Sequence, residues 1–407
     1  MITSIKKRLR HWWEVDWNIS RPSAHFYLLV VVIAFGYTFM ELFLKIGNPG
    51  LKIGISDFIR LLQGQISYEA PAIVKQLFPY MWIAGVLSCY IFRVYLIISS
   101  YFISMRMFDR QKFQRDFLVY IFSVVLVVAA TVLLFRIIGL IYWLSGNGFH
   151  NGVMVMENMA DRFQYFIYNN IPTLVELPYP VALLTIFLGL TVSSLGGYFI
   201  HWLTHQSRLL WLTVHRPHHM PEILHPVGIP LAFNFDFILI IPGLLFNVLF
   251  TKLFYEGSLI LETTLILIFY YHFEIFNHLS THYHTAYHNR FVRFFSDLTG
   301  SGIYHYVHHT SEVGKETVNL GGGIYLLWDR IFGTFEQPQP TPPNTGLSGN
   351  PSILMNPFRV TFSGFAQIWF ELKHNHSLKT RWLILFGNVF YKPPVSKEYL
   401  ILGYPDK

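Results

Sequence analysis

Long uninterrupted runs of apolar positions, rather than an alternation of apolar and polar ones, set the pattern of this chain. Roughly 20 apolar residues cover the hydrocarbon core of a bilayer, and runs of that order occur at 25–44, 77–105, 117–143 and 181–200. A further apolar region, 235–276, is interrupted at Thr251-Lys252 and Tyr255-Glu-Gly257. That interruption predicts a helical hairpin whose tip reaches into or across the membrane and whose ends lie on one side. Breaks at Gly47-Asn-Pro-Gly50, Gly300-Ser-Gly302 and Gly321-Gly-Gly323 separate elements. The predicted fold is an all-α integral membrane protein, a multi-span helical bundle with a helical cap at one membrane face.

Four regions follow. Residues 1–24 form a basic leader with Trp12, Trp13 and Trp17, a composition suited to the headgroup level. Residues 25–178 hold the N-terminal spans and their loops; the first run has no small-residue cleavage site and reads as a retained anchor. Residues 179–336 contain the candidate chemistry. A stiff Pro-Gln-Pro-Thr-Pro-Pro-Asn stretch after Gln337 opens a tail, 337–407, expected to be a cytoplasmic cap or a membrane-surface segment.

Charge orients the bundle. Arg106, Arg110, Lys112 and Arg115 cluster between the second and third runs, whereas 145–178 carries Glu157, Asp161 and Glu176. The positive-inside rule then puts both termini, the basic loop and the histidine-rich segments on the cytoplasmic side, and the acidic loop on the other. Composition agrees with a membrane protein: 53 % hydrophobic, 13 % charged, with a mean hydropathy of +0.39. A net charge of +7 raises the question of nucleic acid, but the basic residues sit thinly between apolar spans and form no stripe. The single cysteine, Cys89, rules out a thiolate cage. Arg93 and Arg136 interrupt apolar spans, where a charge must pair or snorkel.

Histidine changes the picture most. Of 19 histidines, 14 lie between His201 and His309. They form His201-Trp-Leu-Thr-His205, His215-Arg-Pro-His218-His219 and His305-Tyr-Val-His308-His309, with a looser set of His278, His282, His284 and His288. Residues three or four apart share a helix face, so each box can aim two or three imidazoles at one point. Neutral imidazole binds zinc, copper, iron and nickel. Eight or more nitrogens exceed one four- to six-coordinate shell, which points to two metal ions.

These boxes resemble the fatty acid hydroxylase and sterol desaturase superfamily, over roughly residues 180–335. The resemblance rests on HxxxH at 201–205 and HxxHH at 215–219 and 305–309. Two flanking features support it: His225-Pro226, and Asn319-Leu-Gly321 leading to Trp328-Asp329-Arg330-Ile-Phe332-Gly333-Thr334-Phe335. It implies two iron ions and O2 as co-substrate. It also implies a lipid substrate (a fatty acyl, sterol or alkyl-glycerol chain) that is hydroxylated or desaturated, and an external electron donor of the cytochrome b5 or ferredoxin/reductase kind. The host membrane is then a bacterial inner membrane or the endoplasmic reticulum. The expected metal ligands are His201, His205, His215, His218, His219, His282, His284, His305, His308 and His309, with family spacing favouring His282 and His284 between the last two boxes. His225, His272, His278 and His288 are expected in supporting roles, and Asn319 and Asp329 either orient histidines or make turns. A zinc hydrolase is the competing enzyme, but no HExxH occurs. A metal transporter would spread histidines and carboxylates through its spans.

Overall fold

A computed structural model describes residues 72–146, 162–226, 246–347 apart from 313, 316 and 322, and 356–396, together with 13–14 and 24–33 apart from 27 and 31. The leader, the first apolar run and residues 227–245 fall largely outside this set. Among the described residues there are helices and two isolated bridges but no strand, as the apolar runs predict.

Three helices are long and apolar enough to cross a membrane. Helix α1 spans Ala72–Met107, α2 Arg110–Leu144 and α3 Tyr179–Gln206. Asp109 starts α2 by accepting the Lys112 backbone N–H at 2.6 Å, satisfying a donor that the first helical turn cannot. Pro178 precedes α3 and Pro180 lies in its first turn, where a missing N–H costs nothing. On α3, Leu184, Leu188 and Val192 form an exposed apolar stripe, the face a lipid-embedded helix presents.

The region 235–276 turns at the interruption read from sequence. Residues 246–252 are helical, and the chain returns as α4, Ile260–Glu274. At the tip, Leu174 and Leu177 donate N–H bonds to the Leu253 and Phe254 carbonyls (2.9 and 3.0 Å), so the tip meets the chain just before α3, at the far end of α3 from His201. Gly189 on α3 admits Asn247, which donates to the Ile186 carbonyl at 3.0 Å. Helix α4 lies along α1, with Ile268 seated over Gly85. Arg93 is not stranded in its apolar span: it pairs with Glu274 at 2.8 Å.

Short helices follow: α5 (Tyr283–His288), α6 (Arg290–Thr299), α7 (Ile303–His308) and α8 (Leu327–Phe332). The tail supplies α9 (Pro357–His374) and α10 (Leu378–Phe386). The largest core cluster joins α1 and α2 to these short helices through Leu96, Tyr101, Phe117, Phe276, Tyr283 and Val307. The tail is an integral part of the fold, since α9 packs on both α2 and residues 211–215.

Candidate metal centre

His201 and His205 end α3 on one face. Ser207 then leaves the helical region (φ −84°, ψ 122°), and its hydroxyl accepts the Leu210 N–H to start a new helical run, Arg208–His219. Pro217 has no N–H to give Thr213, and the preceding turn, Trp211–His215, widens to π-helix, with the Arg216 N–H reaching the Trp211 carbonyl. The third box lies on α7. Gly300 and Gly302, both with positive φ, turn the chain into it, and the Gly302 N–H bonds the Asn277 side chain.

The imidazoles gather in two groups. One holds His201, His205, His215, His219 and His308; the other holds His218, His278, His305 and His309. Within each group the ligand atoms all lie within 4.8 Å of one another. Each HxxHH box is therefore divided. Its i, i+4 pair stays together while the residue between turns about 100° around the helix to the other group, so His215 and His219 part from His218, and His305 and His309 part from His308. The groups share a wall, with His219 stacked on His309 at 4.3 Å between ring centres.

Contacts between Nε2 atoms measure 3.1 Å for His201–His215, 3.0 Å for His215–His219 and 3.3 Å for His205–His308. In the second group they are 3.2 Å for His218–His278 and 3.1 Å for both His278–His309 and His305–His309. Nitrogens about 2.0–2.1 Å from one ion stand roughly 2.9–3.4 Å apart, from right-angle to tetrahedral arrangements. The spacing therefore fits a shared cation.

Proton placement fits as well. The Val318 and Leu320 carbonyls lie 2.8 Å from His308 Nδ1 and 2.5 Å from His201 Nδ1. A carbonyl only accepts, so each Nδ1 carries the proton and each Nε2 turns a lone pair inward. Burial pushes the His218 imidazole down to about 3, and it holds His215, His219, His278, His305, His308 and His309 well below the usual range. Neighbouring imidazoles depress them further. The inward lone pairs of His201 and His308 both face the first group, where a cation would accept them. Among the described residues neither group contains a carboxylate or thiolate, a set suited to iron, zinc, copper or nickel.

The carbonyl loop is itself held. Asp329, fully buried, accepts from the Leu320 N–H (2.8 Å), the Gly321 N–H (3.0 Å) and the Thr334 hydroxyl (2.7 Å). Burial still raises its carboxyl to about 6. Asn319, at φ +47°, accepts the Glu336 N–H at 2.8 Å and donates to the Glu336 carbonyl at 2.9 Å. Both residues thus act on the histidines through the backbone between them, beyond simple turn chemistry.

Of the ten histidines expected as ligands, eight are brought together and two are not. His282 is half-buried beside the Thr281 hydroxyl (2.8 Å from its Nδ1), and exposed His284 lies edge-to-face with His288 at 4.3 Å between ring centres. His278, expected in a supporting role, takes the place in the second group. The cause is local: a 3-10 turn, Ile275–His278, ends the α4 run, and Leu279 (φ −128°, ψ 75°) breaks the backbone. His278 and His282 consequently sit on different elements despite their helical spacing. A signal was present, because His278 follows the last residues of an apolar run as His201 does. His225 and His272 have supporting contacts, with Ile97 O at 3.2 Å and the Ser88 hydroxyl at 2.9 Å.

A narrow cleft reaches the second group. Phe113, Phe117 and Tyr120 of α2 form one wall, His218 and His278 the floor, and Asp116 and Glu222 are its acidic residues.

The family model described as fatty acid hydroxylase matches residues 186–334. That stretch contains both histidine groups and the carbonyl loop. No curated protein and no solved structure matches the chain.

Proposed function

From the match of residues 186–334 to the fatty acid hydroxylase family model, we propose that this protein is a membrane di-iron oxidoreductase that hydroxylates or desaturates a lipid. The observation that carries the reading is the gathering of two adjacent all-imidazole groups at the end of an apolar span. Two iron ions, one in each group, would supply O2 activation and one-electron chemistry at an unactivated C–H bond. Zinc suits the same nitrogens but has no redox chemistry. For hydroxylation, substrate and O2 with two electrons and two protons give the alcohol and water. An external donor of the cytochrome b5 or ferredoxin/reductase kind provides the electrons.

The chain's own residues prepare the site. Burial keeps the imidazoles neutral, so no proton must leave before a cation binds. The Val318 and Leu320 carbonyls fix the rings of His308 and His201, with Asp329 and Asn319 holding those carbonyls in register. The cleft beside the aromatic wall of α2 leads toward His218 and His278.

Charge supports a cytoplasmic site. Lys112, in the first turn of α2, pairs with Glu222 just after the second box, at 2.5 Å, so the basic cluster and the histidines share one end of the bundle. Glu176 and Glu256 lie together at the other end, where the Glu256 N–H bonds the Glu176 carboxylate at 2.9 Å. This is the asymmetry the positive-inside rule associates with histidines in the cytoplasm.

The test is metal analysis of the purified protein together with an assay under air and under argon. Two irons per chain and O2-dependent loss of hydrogen, or gain of oxygen, in a lipid are expected. Stoichiometric zinc with a reaction indifferent to O2 would overturn the reading. Lipid profiling of a deletion strain then identifies the substrate by the species that accumulates unmodified.

A further inference from the structure

The tail helices carry an apolar face that the described fold leaves uncovered. On α10, Leu378, Trp382 and Phe386 recur every fourth position and are 82 %, 63 % and 60 % exposed. On α9, Trp369 is 73 % exposed. Fourfold spacing aligns side chains on one helix face, and a contiguous apolar face of this kind marks an interaction surface.

Position and charge identify what covers it. The Arg208 N–H donates to the Gly387 carbonyl (3.1 Å) and the Val389 N–H to the Gln206 carbonyl (2.8 Å), flanking an antiparallel bridge between Ser207 and Asn388. Gln206 is the last residue of α3, so the end of α10 is tied to the point where that long apolar helix stops. Between Pro357 and Lys392 the one acidic residue is Glu371, and it is buried against Arg208 at 2.7 Å. Lys373 and Lys379 are exposed. A face with tryptophan and phenylalanine, with exposed lysines beside it and no exposed acid between Pro357 and Lys392, complements an anionic lipid surface.

We propose that α10, with Trp369 of α9, lies on the headgroup surface of the membrane that α3 crosses. Leu378, Trp382 and Phe386 sink to the upper acyl region, and the lysines meet lipid phosphates. The inference rests on reading α3 as a membrane span. Because α9 also braces the run carrying the second box, this contact sets the height of the histidine groups above the lipid.

The full-length protein in nanodiscs of anionic and zwitterionic phospholipid tests it. Spin labels are placed singly at Leu378→Cys, Trp382→Cys, Lys379→Cys and, within the span, Leu188→Cys. The parent serves as blank because Cys89 is buried. Collision with O2 and with a water-soluble nickel chelate is then measured. Labels at 378 and 382 are expected to collide several-fold more with O2, and several-fold less with nickel, than the label at 379. Nickel access at 382 equal to that at 379, with 188 shielded, overturns the proposal and leaves the membrane reading intact. An immobile label at 382 shielded from both reagents means that protein covers the face, and also overturns it. Nickel access at 188 overturns the membrane reading itself. Purely zwitterionic discs are expected to raise nickel access at 382; an unchanged value refutes the part played by lipid charge.

Discussion

Val318 and Leu320 give the site nothing but carbonyl oxygens, yet those oxygens decide which nitrogens of His308 and His201 point inward. Asp329 holds the loop between them through two backbone N–H groups and Thr334. Asp329→Asn keeps the size but loses the charge and one acceptor, so the loop loosens without emptying the core. Metal affinity or turnover is expected to fall about 10- to 100-fold, the usual cost of removing a partner behind a ligand. Metal titration alongside a melting curve separates this from unfolding. His278 supports a sharper contrast. His278→Ala is expected to reduce iron from two per chain toward one and to abolish turnover, whereas His282→Ala and His284→Ala retain both irons; metal analysis of the three purified variants decides. Equal iron in all three would show that the second group does not hold an ion as its geometry implies.

Among elements, the π-helical turn Trp211–His215 lies between two very short α-helical stretches, Arg208–Leu210 and Arg216–His219, and is braced from outside by α9. A Cβ on Gly364 would lie 1.9 Å from the Leu212 carbonyl oxygen, so α9 rests directly on the backbone that carries His215. Gly364→Ala must push the two apart, with an expected loss of about 1–3 kcal/mol, the range for overpacking a tight contact. Loss of metal at a temperature where the fold persists would show that the brace serves the site. Alongside, Arg208 and Glu371 are fully buried and paired at 2.7 Å. Glu371→Ala strands the guanidinium and is expected to cost about 3–5 kcal/mol, readable as a drop in melting temperature.

For the molecule as a whole, charge and burial act through stability. His225 is buried between α1 and α2, edge-on to Phe117 at 5.1 Å between ring centres, and burial lowers its imidazole to about 3 from 6.5. In the unfolded chain it binds a proton already near pH 6.5, so the unfolded state gains protons first as pH falls. Its contribution is complete above pH 6.5 and is lost progressively between 6.5 and about 3. His225→Leu is expected to flatten the fall in melting temperature over that window, provided the apolar packing holds at pH 7. Melting curves of both proteins from pH 7 to 4 give the comparison.

Much of this was legible before any fold. Apolar run length determined the helices, because a bilayer core demands a minimum span, and the interruption at 251–257 located the hairpin tip. The spacing of the three boxes determined that imidazoles would converge, since helical periodicity leaves residues three and four apart on one side. The tertiary structure alone decided how they divide, placing His218 and His308 away from their box partners. It also chose His278 over His282 and His284, because a backbone break at Leu279 is invisible to periodicity. The tail's place against the second box likewise required the fold: contacts such as Gly364 with Leu212 and Arg208 with Glu371 join residues more than 150 positions apart, and no local pattern encodes which distant surfaces fit together.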